Sequence, residues 1–191
     1  MKSFLLQVGQ QLRSLALKRL PPISDILPVF AIIVTMFYGW TMVVFLWKLP
    51  GWLFFLTIGE IAGVFAFQLA TNLVESLVVL LLLLILSMVF PPRIFKEVFI
   101  VRAGMAALIL IASMMLFLNR YVSVGTAFGS ALFLWMIATT LLAAVLTMLS
   151  TRVRFLTALI SWISDRLTVF LFILMPLSAL SLIYVLFYLL L

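Results

Sequence analysis

Long apolar runs separated by short polar or proline-containing segments dominate this chain. A helix needs about 20 apolar residues to cross a hydrocarbon core of about 30 Å, and several runs reach that length. The pattern predicts an all-α integral membrane protein, a polytopic bundle of about five transmembrane helices. In chain order we expect a span at 27–47, a turn at 48–51, a long apolar run at 52–90, spans at 98–118 and 124–149, an amphipathic stretch at 152–166 and a last span at 167–190.

The first 20 residues have a different periodicity from the spans. Apolar side chains recur on one helical face and polar side chains, mostly glutamines, lie opposite them. This pattern is typical of a helix that lies on a membrane surface. We therefore predict an amphipathic cytoplasmic surface helix at 1–22 and a single transmembrane helical domain at 23–191. The basic side chains expected near lipid headgroups are Arg13, Lys18, Arg19, Arg152 and Arg154.

The run from Trp52 to Phe90 is too long for one ordinary span. As a continuous helix its 39 residues would measure about 58 Å, roughly twice the thickness of the hydrocarbon core. We expect a long or broken second element. The interpretation we favour has a true span at about 70–90, with residues 52–69 dipping into the outer leaflet or lying across the membrane face.

The positions of Lys and Arg predict the orientation, because positively charged loops stay on the cytoplasmic side. With five crossings and the N-terminus inside, ten of the 12 basic residues are cytoplasmic, and Lys48 and Arg120 are outside. A second crossing by the long run would change this to five inside and seven outside. The charges therefore favour an N-in, C-out protein. The short loops favour the plasma membrane of a bacterium or archaeon over an organellar membrane.

Five polar side chains of the long run form the only candidate site in the sequence. Acids and amides at bilayer depth are costly unless they are buried in protein, paired, or facing a cavity. At 100° per residue the five fall within about 120° of one helical face. We name them the polar stripe: Glu60, Gln68, Thr71, Asn72 and Glu75.

Small residues cluster on the opposite side of the same helical wheel. They fall within about 100° of arc and are Gly59, Ala62, Gly63, Ala66 and Ala70. A second glycine pair with the same spacing is Gly125 and Gly129. Small side chains let helix backbones approach closely, so we expect these residues to pack helices within the chain rather than to form a homodimer face.

The residue types restrict the chemistry of the protein. The chain contains no cysteine and no histidine, which excludes disulfides, thiolate nucleophiles and Cys/His zinc sites. No hydrophilic segment is longer than about 20 residues, so the sequence contains no soluble domain. We expect no cofactor, no metal, no nucleic-acid partner and no enzymatic activity.

Two functions from different classes remain. We expect a non-enzymatic integral membrane subunit within a larger assembly, with lipids and either a second copy or another membrane protein as partners. The alternative is a small ion or polar-solute transporter or channel, with a pathway lined by Glu60, Gln68, Asn72 and Glu75. A lipid-processing enzyme is the weakest hypothesis, since its acid–base chemistry would depend on Glu60 and Glu75 alone.

Overall fold

The computed structural model describes residues 20–90, 98–121, 129–150 and 152–190, without the side chains of 130, 189 and 190. These residues form five α-helices, each long and apolar enough to cross a membrane. The predicted all-α fold with five spans is confirmed, whereas the predicted surface helix lies almost wholly outside the described residues. The helices are α1 (Ile23–Trp52), α2 (Ile58–Val89), α3 (Phe99–Tyr121), α4 (Gly129–Ser150) and α5 (Arg154–Leu190).

Helix α1 is longer at both ends than the span predicted at 27–47. The predicted turn at 48–51 is wrong, because these residues are helical and Pro50 lies inside α1. A proline lacks the N–H donor of a helical hydrogen bond. The helical hydrogen bonds nevertheless continue beyond Pro50, with Leu53 N–H donating to the Leu49 carbonyl at 3.1 Å. The chain therefore turns at 53–57, just after the Pro-Gly pair.

Helix α2 is continuous for 32 residues, so the long form of the second element is correct. The separate element expected at 52–69 is wrong. Thr57 and Glu60 start the helix with a capping box, in which Thr57 N–H donates to Glu60 Oε2 at 2.7 Å and Glu60 N–H donates to Thr57 Oγ1 at 3.3 Å. No proline follows until position 91, and nothing else in this segment breaks the helix. At about 1.5 Å per residue α2 is about 48 Å long and exceeds the hydrocarbon core.

The C-terminal region is also one helix rather than two. Helix α5 has 37 residues and contains Pro176. The predicted division between an amphipathic helix at 152–166 and a span at 167–190 is therefore wrong. The segment contains no glycine, and a single proline within a long apolar helix is tolerated in membrane proteins.

Helix α1 lies at the centre of the bundle and packs against α2, α3 and α5, whereas α4 packs mainly against α3. One apolar cluster joins α1 to α3 and includes Ile33 and Phe99. A second cluster joins α1 to α2 and α5 and includes Val34 and Leu171. Within that second cluster the Tyr38 hydroxyl donates to the Leu69 carbonyl at 3.2 Å and also hydrogen-bonds the Ser178 hydroxyl. This contact ties three helices together.

Helix α3 approaches α1 and α5 most closely at Gly104. A Cβ atom at this position would lie 3.0 Å from Ile32 Cδ1 and 3.2 Å from Ile160 Cγ2. Both distances are shorter than the optimal separation of about 3.5–4.0 Å between carbon atoms. Glycine therefore allows three helices to meet here, and sequence analysis did not select this residue.

Candidate functional site

A cavity of about 690 Å³ lies between α1, α2 and α5. Its wall contains the whole polar stripe: Glu60, Gln68, Thr71, Asn72 and Glu75. Helix α1 contributes Trp40, Thr41 and Val44, and α5 contributes Tyr184 and Tyr188. We call this space the polar cavity. It brings the five predicted residues to one surface because they share one face of a continuous helix.

The polar cavity follows α2 from its N-terminal end to its middle. Glu60 lies in the first turn and Glu75 lies 15 residues further on, which corresponds to about 22 Å along the helix axis. Glu60 is exposed and its carboxylate accepts hydrogen bonds from the Thr57 backbone and hydroxyl. Its role in this structure is therefore to cap the helix. The Glu75 carboxylate is exposed to the cavity and forms no hydrogen bond or ion pair within the described part of the chain.

Two amide side chains of the stripe have unpartnered atoms. Asn72 is only 4% exposed, and its Oδ1 accepts a hydrogen bond from Thr41 Oγ1 at 3.0 Å. Among the described residues nothing pairs with Asn72 Nδ2 or Gln68 Oε1, although both atoms are buried. Buried polar atoms nearly always have a partner, which is protein or ordered water. These two atoms therefore mark positions where water or a bound molecule completes the hydrogen bonding.

Aromatic side chains form much of the remaining wall. Phe67 and Tyr188 meet edge to face with ring centroids 5.8 Å apart, and Tyr184 stacks near Tyr188 at 6.4 Å. Sequence analysis did not assign these aromatics or Trp40 to the site. Tyr184 and Tyr188 are four residues apart, so both lie on one face of the last helix. This spacing does not indicate which neighbouring helix that face contacts.

The sequence predicted that the small residues of α2 lie opposite the polar stripe. In the structure they do not all do so. Gly59 and Gly63 line the polar cavity together with Glu60, because the cavity covers a wider arc of α2 than the stripe itself. A Cβ on Gly63 would lie 3.8 Å from the Tyr184 hydroxyl, whereas one on Gly59 or Gly129 would meet nothing within 4 Å.

The three alanines of this set differ in burial along α2. Ala70 is buried, Ala66 is half-buried and Ala62 is exposed. Close packing within the chain therefore involves only part of the predicted set. Gly125 lies outside the described residues.

Two smaller cavities adjoin the polar cavity. One of about 380 Å³ lies between α1, α2 and α3, and one of about 330 Å³ lies between α1, α2 and α5. Thr41 and Asn72 line all three. Their hydrogen bond therefore stands where the three cavities meet, near the middle of α2.

Other predicted residues lie away from the polar cavity. Arg152 and Arg154 are exposed at the start of α5, while Arg13, Lys18 and Arg19 lie outside the described residues. In the part of the chain that the structure describes, no three acidic residues come together as a set of metal ligands.

Comparisons of the chain with protein-family models, with curated proteins and with solved structures found no match. The geometry of the polar cavity therefore provides the evidence about function.

Proposed function

We propose that this protein is a small polar-solute transporter or channel of the plasma membrane, with the polar cavity as part of its pathway. The observation that carries the proposal is the exposure of the polar stripe to a cavity of about 690 Å³. Polar residues at bilayer depth typically mark solute pathways when they face a space that water or solute can fill. The pathway uses Gln68, Thr71, Asn72 and Glu75, and Glu60 lies at its exposed end.

The hydrogen bonds of the stripe support this function over simple helix adhesion. Interhelical polar contacts that hold a bundle together pair their groups with one another. Within the described residues Asn72 is the one member of the stripe that forms such a contact, with Thr41, while Thr71 donates to the carbonyl of Phe67 in its own helix at 2.9 Å. Among the described residues Glu75 forms no hydrogen bond or ion pair. The Glu75 carboxylate, Gln68 Oε1 and Asn72 Nδ2 are therefore available to a solute.

The basic residues suggest the direction in which the pathway opens. The proposed N-in orientation places the turn between α1 and α2 on the outer side of the membrane. Gly59 and Glu60, which are exposed and line the cavity, follow that turn directly. In this arrangement a solute enters from outside and reaches Glu75 near the middle of α2. Because α2 is unbroken, the pathway is a groove beside an intact helix.

A second candidate function is that of an integral membrane subunit within a larger assembly. The observation that favours it is the exposure of Gly59 and Ala62 on α2, a small-residue surface that no other helix of the described chain covers closely. Thr71 and Glu75 are exposed as well. A helix from another membrane protein, or from a second copy, would cover either of these two surfaces.

Cysteine accessibility separates the two functions, because the native chain contains no cysteine. Thr71→Cys places a thiol in the wall of the polar cavity, and Val74→Cys places one on an exposed position of α2 outside that wall. Both variants are treated in intact cells with a membrane-impermeant trimethylammonium thiosulfonate. A water-filled pathway predicts rapid modification of Thr71→Cys and slow modification of Val74→Cys, which faces lipid.

The opposite result identifies the subunit function. If Thr71→Cys is unreactive in native membranes but reacts after purification in detergent, another protein covers the cavity. The mass of the particle purified in mild detergent would then show whether a second protein is present in a fixed ratio. The identity of that protein would identify the assembly. Equal reaction at both positions in cells would also contradict a pathway confined to the polar cavity.

A further inference from the structure

We infer that the polar cavity binds an organic ammonium ion, with the Glu75 carboxylate as its counter-charge. This inference rests on the proposed function and names the chemical class of its solute. Three features of the cavity wall carry it: the sign of its charge, its unpartnered amide atoms and its aromatic faces.

The charge of the wall selects a cation. Glu60 and Glu75 line the polar cavity, and no lysine or arginine of the described chain does. Glu60 is engaged with Thr57 at the far end of the cavity, whereas no residue that the structure describes pairs with Glu75. A carboxylate at bilayer depth is costly without a counter-charge, and a bound cation supplies that counter-charge.

The amide atoms are an independent sign of a ligand. Asn72 is 4% exposed with an unpartnered Nδ2, and it lies three residues before Glu75, on a neighbouring position of the same helical face. Gln68 Oε1, seven residues before Glu75, is a buried acceptor that needs a donor. An ammonium group supplies N–H donors for Gln68 Oε1 as well as charge for Glu75. An oxygen on the same molecule would accept from Asn72 Nδ2.

The aromatic faces favour an organic cation over a metal ion. Trp40, Phe67, Tyr184 and Tyr188 line the cavity, and aromatic faces attract ammonium groups through their quadrupoles. A hard metal ion instead requires several oxygen ligands at close range. The described residues contain no group of three acidic side chains that would provide them.

The test is calorimetric titration of the purified full chain in a neutral detergent with three probes of the same skeleton. The probes are 2-phenylethylammonium, the neutral alcohol 2-phenylethanol and the anion 3-phenylpropionate, each corrected by titration into detergent alone. We expect the ammonium ion to bind roughly 10- to 100-fold more tightly than the alcohol, as a charge-assisted hydrogen bond implies. The anion should not bind.

Glu75→Gln should reduce the affinity for the ammonium ion to that for the alcohol. The matched control is Asp165→Asn, which removes one negative charge from an exposed position outside the cavity wall and should leave all three affinities unchanged. Helical circular dichroism and the elution profile in detergent show whether each variant folds. Trp40→Leu, which removes an aromatic face and leaves the carboxylate, should weaken ammonium binding by about fivefold.

Several results would overturn the inference. These are equal binding of all three probes, retention of the preference for ammonium in Glu75→Gln, or loss of that preference in Asp165→Asn. Transport of solutes into liposomes that contain the protein tests the proposed function separately from the binding site. Glu75-dependent binding without transport of labelled 2-phenylethylammonium would support the site and refute the transporter. Transport of solutes without any preference for positive charge would support the transporter and refute the ammonium site.

Discussion

Replacing Gly104 with alanine adds one methyl group at the point where α3 meets both α1 and α5. The new Cβ would lie 3.0 Å from Ile32 Cδ1 and 3.2 Å from Ile160 Cγ2, so both side chains must shift slightly to make room for it. Overpacking of this kind costs about 1–3 kcal/mol. Alanine in a helix interior is about 1 kcal/mol more favourable than glycine, which offsets part of the cost. We expect a net loss of about 0–2 kcal/mol in the free energy of unfolding.

Gly39→Ala in α1 is the matched control for this substitution. A Cβ at position 39 would meet no atom within 4 Å, so this variant gains the helix propensity without the contact. The two variants should therefore differ by about 1–3 kcal/mol, with Gly104→Ala the less stable. The measurement is reversible unfolding in mixed micelles of neutral detergent and dodecyl sulfate, followed by circular dichroism.

A double-mutant cycle identifies the contact responsible. Ile32→Val removes Cδ1, the atom nearest to the added methyl group, and by itself costs about 0.5–1.5 kcal/mol. Combined with Gly104→Ala it should cost less than the sum of the two single variants. Additive costs, or equal stabilities for Gly104→Ala and Gly39→Ala, would refute the close approach of the three helices.

Two further predictions concern α2. Thr57→Ala removes the side-chain acceptor of the capping box and should destabilise the start of the helix by about 1 kcal/mol. Hydrogen exchange at the Ile61 amide, which donates to the Thr57 carbonyl at 3.0 Å, should accelerate; unchanged exchange would show that the cap does not hold this end. Thr41→Val and Asn72→Leu remove the two sides of a hydrogen bond of 3.0 Å, and their double-mutant cycle should give a coupling energy of about 0.6 kcal/mol in the free energy of unfolding. A coupling of zero would mean that the bond contributes nothing to stability.

The number of helices was predictable from the sequence, because five apolar stretches of sufficient length are a local property of the chain. The helix ends were not. Pro50 and Gly51 predicted a turn, yet the backbone stays helical until Trp52. Local residue preferences are weak compared with the requirement that backbone groups within a membrane keep their hydrogen bonds. The same requirement keeps α5 continuous through Pro176.

The candidate site was predictable on one helix and not on its neighbours. The periodicity of α2 places Glu60, Gln68, Thr71, Asn72 and Glu75 on one face, and the structure brings them to one cavity wall. The contributions of α1 and α5 depend on which helices pack against that face. Helical periodicity carries no information about such partners, so Trp40, Tyr184 and Tyr188 could not be assigned.

The difference between Glu60 and Glu75 was also beyond the sequence. Both are acids on the same face of the helix, and both belong to the polar stripe. Only the position at which α2 begins makes Glu60 a capping residue, with its carboxylate bound to Thr57. Glu75 lies too deep in the helix for that role.

The hydrogen bonds of Tyr38 have a consequence for how the protein is made. Leu69 follows Tyr38 by 31 residues, whereas Ser178 follows it by 140. At a translation rate of about 5–20 residues per second, the Ser178 hydroxyl is synthesised roughly 7–28 s after Tyr38. During that interval the Tyr38 hydroxyl has only the Leu69 carbonyl, which an α1–α2 hairpin supplies early. The central helix therefore acquires its hydrogen bond to α5 only after α2, α3 and α4 have been synthesised.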